Sequence, residues 1–293
     1  MAFNYYKFIE QNFTIKNKGG KVVPFILWNT QDKYLLDLVN YYGKDLQGVR
    51  DIILKARKEG FSSIIDALFA VDFLTSPNPI NSVIIADNKD ETKKLLNRTK
   101  FFIENFFTKH NTSLQKQIET INANEIVNKE NGAALWIGTA GSRVALRVES
   151  VQNLHFSEAA HYQDTDIITA RETIEGALQM VELGTGKVFI ESTANGYGNY
   201  YQVLETKAYQ GMSNFRSVFF GAEELYSKEW LAKKKTEFTT IEMFKQEYPS
   251  TREEAYISSG SKFFDTSAIG WLRNEVIRKP LIMGNLTMRG EIL

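Results

Sequence analysis

Short, continuous apolar segments alternate along this chain with longer segments that have a helical pattern. The apolar segments, which predict β-strands, are residues 51–54, 82–86, 133–138, 153–156, 187–191 and 216–220. The helical patterns cover residues 62–73, 90–107 and 168–181. Strands that are apolar throughout, alternating with helices, are typical of a parallel sheet that is covered on both faces. The sequence therefore predicts an α/β fold with a doubly wound, mostly parallel sheet.

The loop after Leu54 is the first place where a site is expected, because ligands bind beyond the carboxyl ends of the strands in such sheets. It reads Lys-Ala-Arg-Lys-Glu-Gly-Phe-Ser-Ser and leads directly into an apolar helix. Free N–H groups and a helix N-terminus can bind phosphate. However, Lys55 and Phe61 depart from the pattern G-x-x-x-x-G-K-[ST], of which only Gly60 and Ser62 remain. Taken alone, the loop favours a basic turn whose serines cap a helix.

An acidic residue, Glu158, follows the predicted strand 153–156. A carboxylate at a strand end can orient or deprotonate the water that attacks a γ-phosphate. Ser157 stands where an Asp would usually help to hold Mg²⁺, so Glu158 is the one strong carboxylate at this point. An ordinary charged residue at a strand end fits the pattern equally well. His155 and His161 are more typical of core or surface histidines than of a metal pair.

A third loop, residues 191–199, is dense in small polar residues and reads Glu-Ser-Thr-Ala-Asn-Gly-Tyr-Gly-Asn. Such a loop can sense a ligand and transmit its presence, although Asn-Gly is also a common turn. The order of the three loops is the stronger signal. A basic Gly-Ser loop, an acidic strand end and a Ser-Thr-x-Asn-Gly strand end each follow a predicted core strand.

The composition excludes several other classes of protein. The chain of 293 residues has no Cys, which excludes disulfides, thiolate zinc sites, cysteine-ligated iron–sulfur clusters and cysteine nucleophiles. Its 35 basic and 35 acidic residues give no net charge, which argues against an overall basic coat but not against a local basic patch. No apolar run approaches the roughly 20 residues of a membrane span, and the N-terminal segment lacks a signal-peptide pattern. We therefore expect a cytoplasmic protein.

Taken together, these motifs resemble those of the ATPase domain of tailed-bacteriophage large terminase subunits, the motors that package DNA into procapsids. The resemblance covers almost the whole chain. Its motifs are an adenine-sensing Q motif at 24–31, a deviant Walker A at 55–63, a Walker B with its catalytic Glu at 155–160, an ATP-coupling motif at 191–199 and the segment at 247–256 that closes the ATPase region. The family implies a P-loop NTPase fold of the RecA/ASCE type with a small helical lid.

The resemblance implies that the chain binds ATP and Mg²⁺. Gln31 would hydrogen-bond to the adenine edge, the alternative being a glutamine on a helix surface. Lys55, Arg57 and the backbone after Gly60 would hold the β- and γ-phosphates, and Ser62 would ligate Mg²⁺. The nucleotide-binding residues that the resemblance implies are Gln31, Lys55, Arg57, Lys58, Gly60, Phe61, Ser62 and Ser63. Glu59 places an acidic residue inside this loop.

The resemblance also implies catalytic and coupling residues. Glu158 would activate the lytic water, and Arg57 would assist at the γ-phosphate. A neighbouring subunit would supply an arginine, for which Arg147 is our choice and Arg143 the rival; a guanidinium suits the charge that develops on the phosphoryl oxygens. A solvated surface arginine is an equally good interpretation. The coupling residues, which would transmit the state of the γ-phosphate, are Ser192, Thr193 and Asn195.

For domain organisation, the resemblance implies an ATPase core at residues 1–225. Residues 226–293 would form the lid and the start of a linker to a nuclease domain, for which the chain has no acidic cluster. The implied partners are double-stranded DNA, the portal protein, the small terminase subunit and further copies in a ring, although the isolated chain could be a monomer. The implied location is the cytoplasm of the infected bacterium, at the procapsid portal, with no membrane contact.

Two other functions are alternatives to a packaging motor. A helicase-like ATPase would need a second motor lobe with its own arginine motif, and no such lobe fits after Gly196. A relative that binds nucleotide without hydrolysing it is the other alternative, and Phe61 and Ser157 are the residues that favour it.

Overall fold

Ten strands and ten helices make up the part of the chain that the computed structural model describes, residues 4–17, 19–142 and 150–256. The strands are β1 (Thr14–Lys16), β2 (Val22–Pro24), β3 (Arg50–Lys55), β4 (Asn81–Ala86), β5 (Ile118–Ile121), β6 (Glu125–Asn128), β7 (Ala134–Thr139), β8 (Asn153–Ser157), β9 (Lys187–Ser192) and β10 (Arg216–Phe220). The helices are α1 (Tyr5–Asn12), α2 (Asn29–Tyr42), α3 (Phe61–Thr75), α4 (Lys89–Lys109), α5 (Leu114–Gln117), α6 (Ala170–Leu178), α7 (Tyr200–Tyr209), α8 (Lys228–Lys235), α9 (Ile241–Glu247) and α10 (Arg252–Ala255). Within the described ranges, no helix is both long and apolar enough to cross a membrane.

Eight of these strands form one central sheet in the order β10-β3-β9-β8-β4-β7-β6-β5. The strands from β10 to β7 run parallel to one another, whereas β6 and β5 continue the sheet antiparallel at one edge. Strands β1 and β2 form a separate antiparallel pair. The mostly parallel sheet that the apolar segments predict is therefore confirmed.

Helices cover both faces of this sheet. Since successive residues of a strand point to opposite faces, neighbouring residues of one strand pack in different cores. On one face, Ile53 and Phe189 pack in a core with buried residues of α1, α2, α3 and α4. On the other face, Ile52 and Ile190 pack with buried residues of α6 and α7. The doubly wound arrangement is therefore also confirmed, although α6 is shorter than the predicted helix 168–181.

The register of the central strands brings the three predicted loops together. Strand β9 lies between β3 and β8, with Leu54 opposite Ser192 and Ser157 opposite Glu191. The carboxyl ends of the three strands therefore lie side by side. Helix α3 starts at Phe61, after the loop that follows β3. It is buried along most of its length, which fixes its N-terminus against the sheet.

Strand β3 is anchored at its other end by Asp51, which is fully buried. Its carboxylate accepts hydrogen bonds from the hydroxyls of Tyr34 and Tyr42 at 2.9 and 2.8 Å. Arg216 donates to both of its oxygens, at 2.9 and 2.6 Å. This cluster connects α2, β3 and β10 at the amino ends of the strands, opposite to the carboxyl ends that carry the predicted loops.

An antiparallel pair of strands, β5 and β6, was not predicted from the sequence. The polar turn that follows β6 has a structural role, because Asn128 and Asn131 each donate a side-chain hydrogen bond to the carbonyl of Phe73, at 3.1 and 3.2 Å. Asn131 also donates to the carbonyl of Ser76 at 3.0 Å. The asparagines therefore satisfy carbonyl groups at the C-terminal end of α3.

The helical segment after residue 225 packs on the loop that follows β3. Phe244 and Tyr248 form a small aromatic core with Ala56, and Tyr226 packs against it. The hydroxyl of Tyr226 donates to the carbonyl of Arg57 at 3.0 Å. The division at residues 225 and 226 stays a prediction, and residues 257–293 of the expected lid and linker lie outside the described ranges.

Candidate active site

A cleft of about 420 Å³ opens at the carboxyl ends of β3, β4, β8 and β9, a volume within the range of small-molecule sites. Of the predicted site residues, those that line it are Lys55, Arg57, Lys58, Gly60, Phe61, Ser62, Ser63, Glu158 and Thr193. Gln31 and Ser192 do not line the cleft but bond to residues that do, and Asn195 bonds to the turn after Glu158. Arg147 and its rival Arg143 lie outside the described residues.

The loop after β3 and the first turn of α3 line this cleft with residues 57–63. Lys58 and Gly60 have left-handed backbone conformations, with φ of 62° and 77°. Among the described residues, no acceptor takes the N–H groups of residues 58–62. A run of free N–H groups that ends at a helix N-terminus forms an anion-binding concavity.

Gln31 fixes this loop by a hydrogen bond to the backbone of Gly60. Its side-chain Nε2 donates to the carbonyl of Gly60 at 2.8 Å, and its Oε1 accepts from the backbone N–H of Trp28 at 3.0 Å. Gln31 is buried, so the interpretation of a surface glutamine is wrong. Glycine suits the left-handed φ of residue 60, and a Cβ there would lie 2.5 Å from Gln31 Nε2 and displace the Gln31 amide. The adenine contact of Gln31 stays a prediction.

Lys55 is buried at the end of β3 between two carboxylates. Its Nζ lies 2.9 Å from Oε1 of Glu158 and 3.1 Å from Oε2 of Glu191. Burial alone would lower the pKa of Lys55, but the two carboxylates outweigh burial and raise this pKa above its ordinary value. The ammonium group is therefore charged, and it holds Glu158 and Glu191 close to each other.

Glu158 itself has a left-handed backbone conformation, with φ of 53°, which is uncommon for a residue other than glycine. Its Oε2 accepts a hydrogen bond from the backbone N–H of Thr193 at 3.1 Å, and the hydroxyls of Ser192 and Thr193 lie 3.4 Å away. Its side chain is 31% exposed. Glu158 is thus the carboxylate that lies between Lys55, the end of β9 and the open cleft.

The predicted coupling residues all bond to Glu158 or to the turn that follows it. Ser192 Oγ accepts from the N–H of Ala160 at 3.1 Å, and Asn195 donates to the carbonyl of Ala160 at 3.1 Å. His161 Nε2 lies 3.1 Å from the hydroxyl of Thr193. A displacement of Glu158 would therefore be transmitted to the end of β9 through direct hydrogen bonds.

Glu59 is fully buried, and neither of its carboxylate oxygens has a hydrogen-bond partner among the described residues. Burial raises the pKa of Glu59 to about 9. The side chain is therefore neutral at pH 7. Glu59 therefore adds no negative charge to the loop at pH 7.

Two other predicted residues of the loop have partners within the protein. Arg57 pairs with Glu247 of α9, with NH1 2.8 Å from Oε2, and its side chain is exposed. Phe61 stands where the Walker lysine would be and is fully buried, with its ring centroid 5.3 Å from that of Tyr34 and 4.7 Å from that of Phe220. Phe61 therefore fixes the start of α3 and leaves Lys55, Arg57 and Lys58 as the cations of the loop.

A chain of charged groups that the sequence did not indicate runs from Arg98, which lines the cleft, to the buried residues Asp66, His155 and Glu191. Arg98 donates to Oδ2 of Asp66 at 2.9 and 2.7 Å, and Asp66 Oδ1 lies 3.3 Å from Nδ1 of His155. His155 Nε2 lies 3.4 Å from Oε1 of Glu191. Burial lowers the pKa of His155, but Asp66 and Glu191 outweigh it and raise the pKa. Asp66, which is four residues after Ser62 on one helix face, was the signal that could have indicated this chain.

The donors near Ser62 fit a hard cation. Ser62 Oγ donates to Oε1 of Glu191 at 2.7 Å, and Ser157 Oγ donates to the same oxygen at 2.8 Å. Burial alone would raise the pKa of Glu191, but Lys55, His155 and Ser62 together outweigh burial and lower this pKa, so that Glu191 is ionised. Hydroxyl and carboxylate oxygens are the ligands that Mg²⁺ prefers, usually with phosphate oxygens completing its shell. Among the described residues, no group of three or more acidic or His side chains could hold a metal alone.

Comparison with known proteins shows what this fold resembles. No protein-family model matches the sequence, and no curated protein matches it. The large terminase of bacteriophage HK97 is similar over 94% of this chain and 59% of its own, with a TM-score of 0.65 and 16% identity. The large-terminase ATPase domain of Thermus phage P74-26 is similar over 69% of this chain and 87% of its own, with a TM-score of 0.52 and 16% identity.

A third structure contains a nucleotide. The large terminase of another thermophilic bacteriophage, in complex with ADP, is similar over 75% of this chain and 52% of its own, with a TM-score of 0.52 and 8% identity. The chain thus spans 59% of the HK97 large terminase and 52% of the ADP-bound one. It has the α/β fold of large-terminase ATPase domains, as the motifs predicted.

Proposed function

We propose that this chain is the ATP-hydrolysing motor domain of a viral DNA-packaging terminase, which moves double-stranded DNA into a procapsid. The observation that carries the proposal is the pairing of Lys55 with Glu158 at the rim of the cleft, 2.9 Å apart, beside the free N–H groups of residues 58–62. Together they offer a phosphate-binding cradle, a buried cation and a carboxylate that faces solvent. These are the groups that phosphoryl transfer to water requires.

In this proposal the β- and γ-phosphates bind the N–H groups of residues 58–62, with positive charge from Lys55, Arg57 and Lys58. Ser62 ligates Mg²⁺, and Ser63 lies in the same turn of α3. When bound, Mg²⁺ neutralises charge on the phosphate oxygens. Gln31, which holds the carbonyl of Gly60, links the adenine-sensing segment to the phosphate loop.

Hydrolysis in this proposal depends on a change of partner at Lys55. An arriving γ-phosphate competes with Glu158 for the ammonium group, because both are anions. Glu158, freed from Lys55, accepts a proton from a water molecule. The water oxygen bonds to the γ-phosphorus, and the bond from that phosphorus to the bridging oxygen of ADP breaks. Arg147 of a neighbouring subunit supplies charge to the γ-phosphoryl oxygens.

Coupling to movement follows from the hydrogen bonds of Glu158. A shift of its carboxylate changes the bonds to Ser192 and Thr193, and Asn195 moves with the turn after Glu158. Gln246 of α9 donates to the carbonyl of Ala194 at 3.2 Å, so the end of β9 is also bonded to the proposed lid. Helix α9, which belongs to the proposed lid, would therefore respond to the state of the nucleotide.

The proposed partners are double-stranded DNA, the portal protein, the small terminase subunit and further copies of this chain in a ring. Contact with DNA would be mainly with phosphates, without base specificity. The proposed location is the cytoplasm of the infected bacterium, at the procapsid portal.

Steady-state ATP hydrolysis by the full chain, with Mg²⁺ and with or without double-stranded DNA, tests this function. We expect phosphate release that Glu158→Gln abolishes and that Glu253→Gln, a change at an exposed glutamate, leaves intact. Turnover that survives Glu158→Gln would show that the base is another residue.

A second candidate is a nucleotide-binding protein without turnover, which the burial of Phe61 at the Walker lysine position favours. Thermal shift with ATP and Mg²⁺ distinguishes the two, because a bound ligand raises the melting temperature whether or not it is hydrolysed. A raised melting temperature with no phosphate release, even with DNA, would favour this second candidate.

A further inference from the structure

Ser157 and Glu191 occupy paired positions on neighbouring strands of the sheet. Ser157 ends β8, Glu191 lies in β9, and the two are directly opposite in the strand register. Ser157 Oγ donates to Oε1 of Glu191 at 2.8 Å. The carboxylate that is missing from β8 is therefore present within one hydrogen bond, on β9.

The same oxygen of Glu191 also accepts from Ser62, the first hydroxyl of α3, at 2.7 Å. A serine hydroxyl has one proton and two lone pairs. Because the proton is directed to Glu191, the lone pairs of Ser62 are left for another partner, and Ser62 lines the cleft. A hydroxyl held in this way can be a ligand for a hard cation. Metal ligands are commonly oriented by a hydrogen-bond partner that does not itself contact the metal, and Glu191 would be such a partner of Ser62.

The charges around Ser62 also favour a cation. Glu158 and Glu191 share the single ammonium group of Lys55, and the only further basic group described beside Glu191 is His155, whose Nε2 lies 3.4 Å from Oε1. Glu191 is fully buried, and a buried carboxylate is costly unless it is paired and hydrogen-bonded. A cation at Ser62 would add positive charge close to Glu191, whose Oε1 lies 2.7 Å from Ser62 Oγ.

We propose that Glu191 is the positioning residue of the Mg²⁺ site: it orients the Ser62 hydroxyl towards the cation, in the role that an Asp at residue 157 would otherwise have. This assignment rests on the proposed function, since the cation is the one that accompanies ATP. It moves the acidic partner of the metal ligand from β8 to the adjacent strand β9.

Nucleotide affinity with and without metal tests the assignment separately from hydrolysis. The full chain is titrated with a non-hydrolysable ATP analogue, once with Mg²⁺ and once with EDTA, and the ratio of the two affinities is the metal enhancement. Since loss of a partner that orients a ligand costs about 10- to 100-fold in metal affinity, Glu191→Gln should reduce the metal enhancement by about that factor. The affinity in EDTA should change little.

Three further variants separate positioning from general damage. Ser62→Ala should lose the metal enhancement at least to the same extent, and adding Glu191→Gln to it should give no further loss, because Glu191 acts on the cation only through the Ser62 hydroxyl. Ser157→Ala, which keeps Glu191, should retain the enhancement. Ser157→Asp combined with Glu191→Gln should restore part of it by returning a carboxylate to β8.

Several outcomes would overturn the assignment. Full metal enhancement in Glu191→Gln would do so while leaving the proposed function intact, and an equal fall of both affinities would show that Glu191 is only structural. If Glu191→Gln does not fold, full enhancement in Ser62→Ala would be equally decisive. A wild-type chain that binds the analogue in neither condition would refute the proposed function and this assignment together.

Discussion

Glu59 should make the stability of this protein fall as pH rises from 5 to 8. The folded chain keeps the proton of Glu59, whose pKa burial raises from 4.5 to about 9, while the unfolded chain loses it above 4.5. Between these values the folded state binds more protons, so the free energy of unfolding decreases with rising pH. Each pH unit above 4.5 lowers the free energy of unfolding by about 1.36 kcal/mol, so that keeping Glu59 protonated costs the folded state about 3 kcal/mol at pH 7.

Glu59→Gln removes this titration and preserves the shape of the side chain. We expect the free energy of unfolding of the variant, measured by urea denaturation, to exceed that of the wild type by an amount that grows by about 4 kcal/mol from pH 5 to pH 8. Glu104→Gln, at an exposed position of α4, is the matched control for losing a carboxylate. A difference between wild type and Glu59→Gln that stays constant with pH would refute the neutral, buried state of Glu59.

Two further changes test the surroundings of the site by urea denaturation. Gly60→Ala should lower the free energy of unfolding by about 1–2 kcal/mol for its left-handed backbone, plus a further loss from the close approach to Gln31. Gly184→Ala, with φ of 87° and open space around it, should show the backbone loss alone. Equal losses in the two variants would contradict an effect of the Gln31 contact. Asp51→Ala should cost about 3–5 kcal/mol, because it leaves Arg216 without its buried partner, and a loss below about 1 kcal/mol would show that the cluster does not anchor β3.

The sequence predicted the parallel strands well, because each is a continuous run of residues that must be buried on both faces. Strand β3 and strand β10 agree with the predicted segments to within a residue at each end. Strands β5 and β6 were missed because their edge position leaves them partly exposed and polar, so that no apolar run marks them. Helix α2 was missed for a similar reason, since seven of its 14 residues are polar and no long apolar run marks it.

The candidate site was predicted only as far as its loops. The order of basic loop, acidic strand end and polar strand end indicates which segments meet, since parallel strands bring their carboxyl ends to one edge. The partners within the site depend on long-range contacts that no local pattern encodes. Lys55 and Glu158 are 103 residues apart in the chain, and Ser62 and Glu191 are 129 apart. The neutral state of Glu59 likewise follows from burial, which the loop sequence does not show.

The proposed function is that this cleft hydrolyses ATP with Glu158 as the base. Its most direct test is a single-turnover experiment, in which enzyme in excess over radiolabelled ATP and Mg²⁺ is quenched with acid and the bound nucleotide is identified. We expect the wild type to convert bound ATP to ADP and phosphate, while Glu158→Gln retains it as ATP. Bound ATP that stays intact in the wild type, with double-stranded DNA present, or that is hydrolysed as fast by Glu158→Gln, would contradict the proposed function.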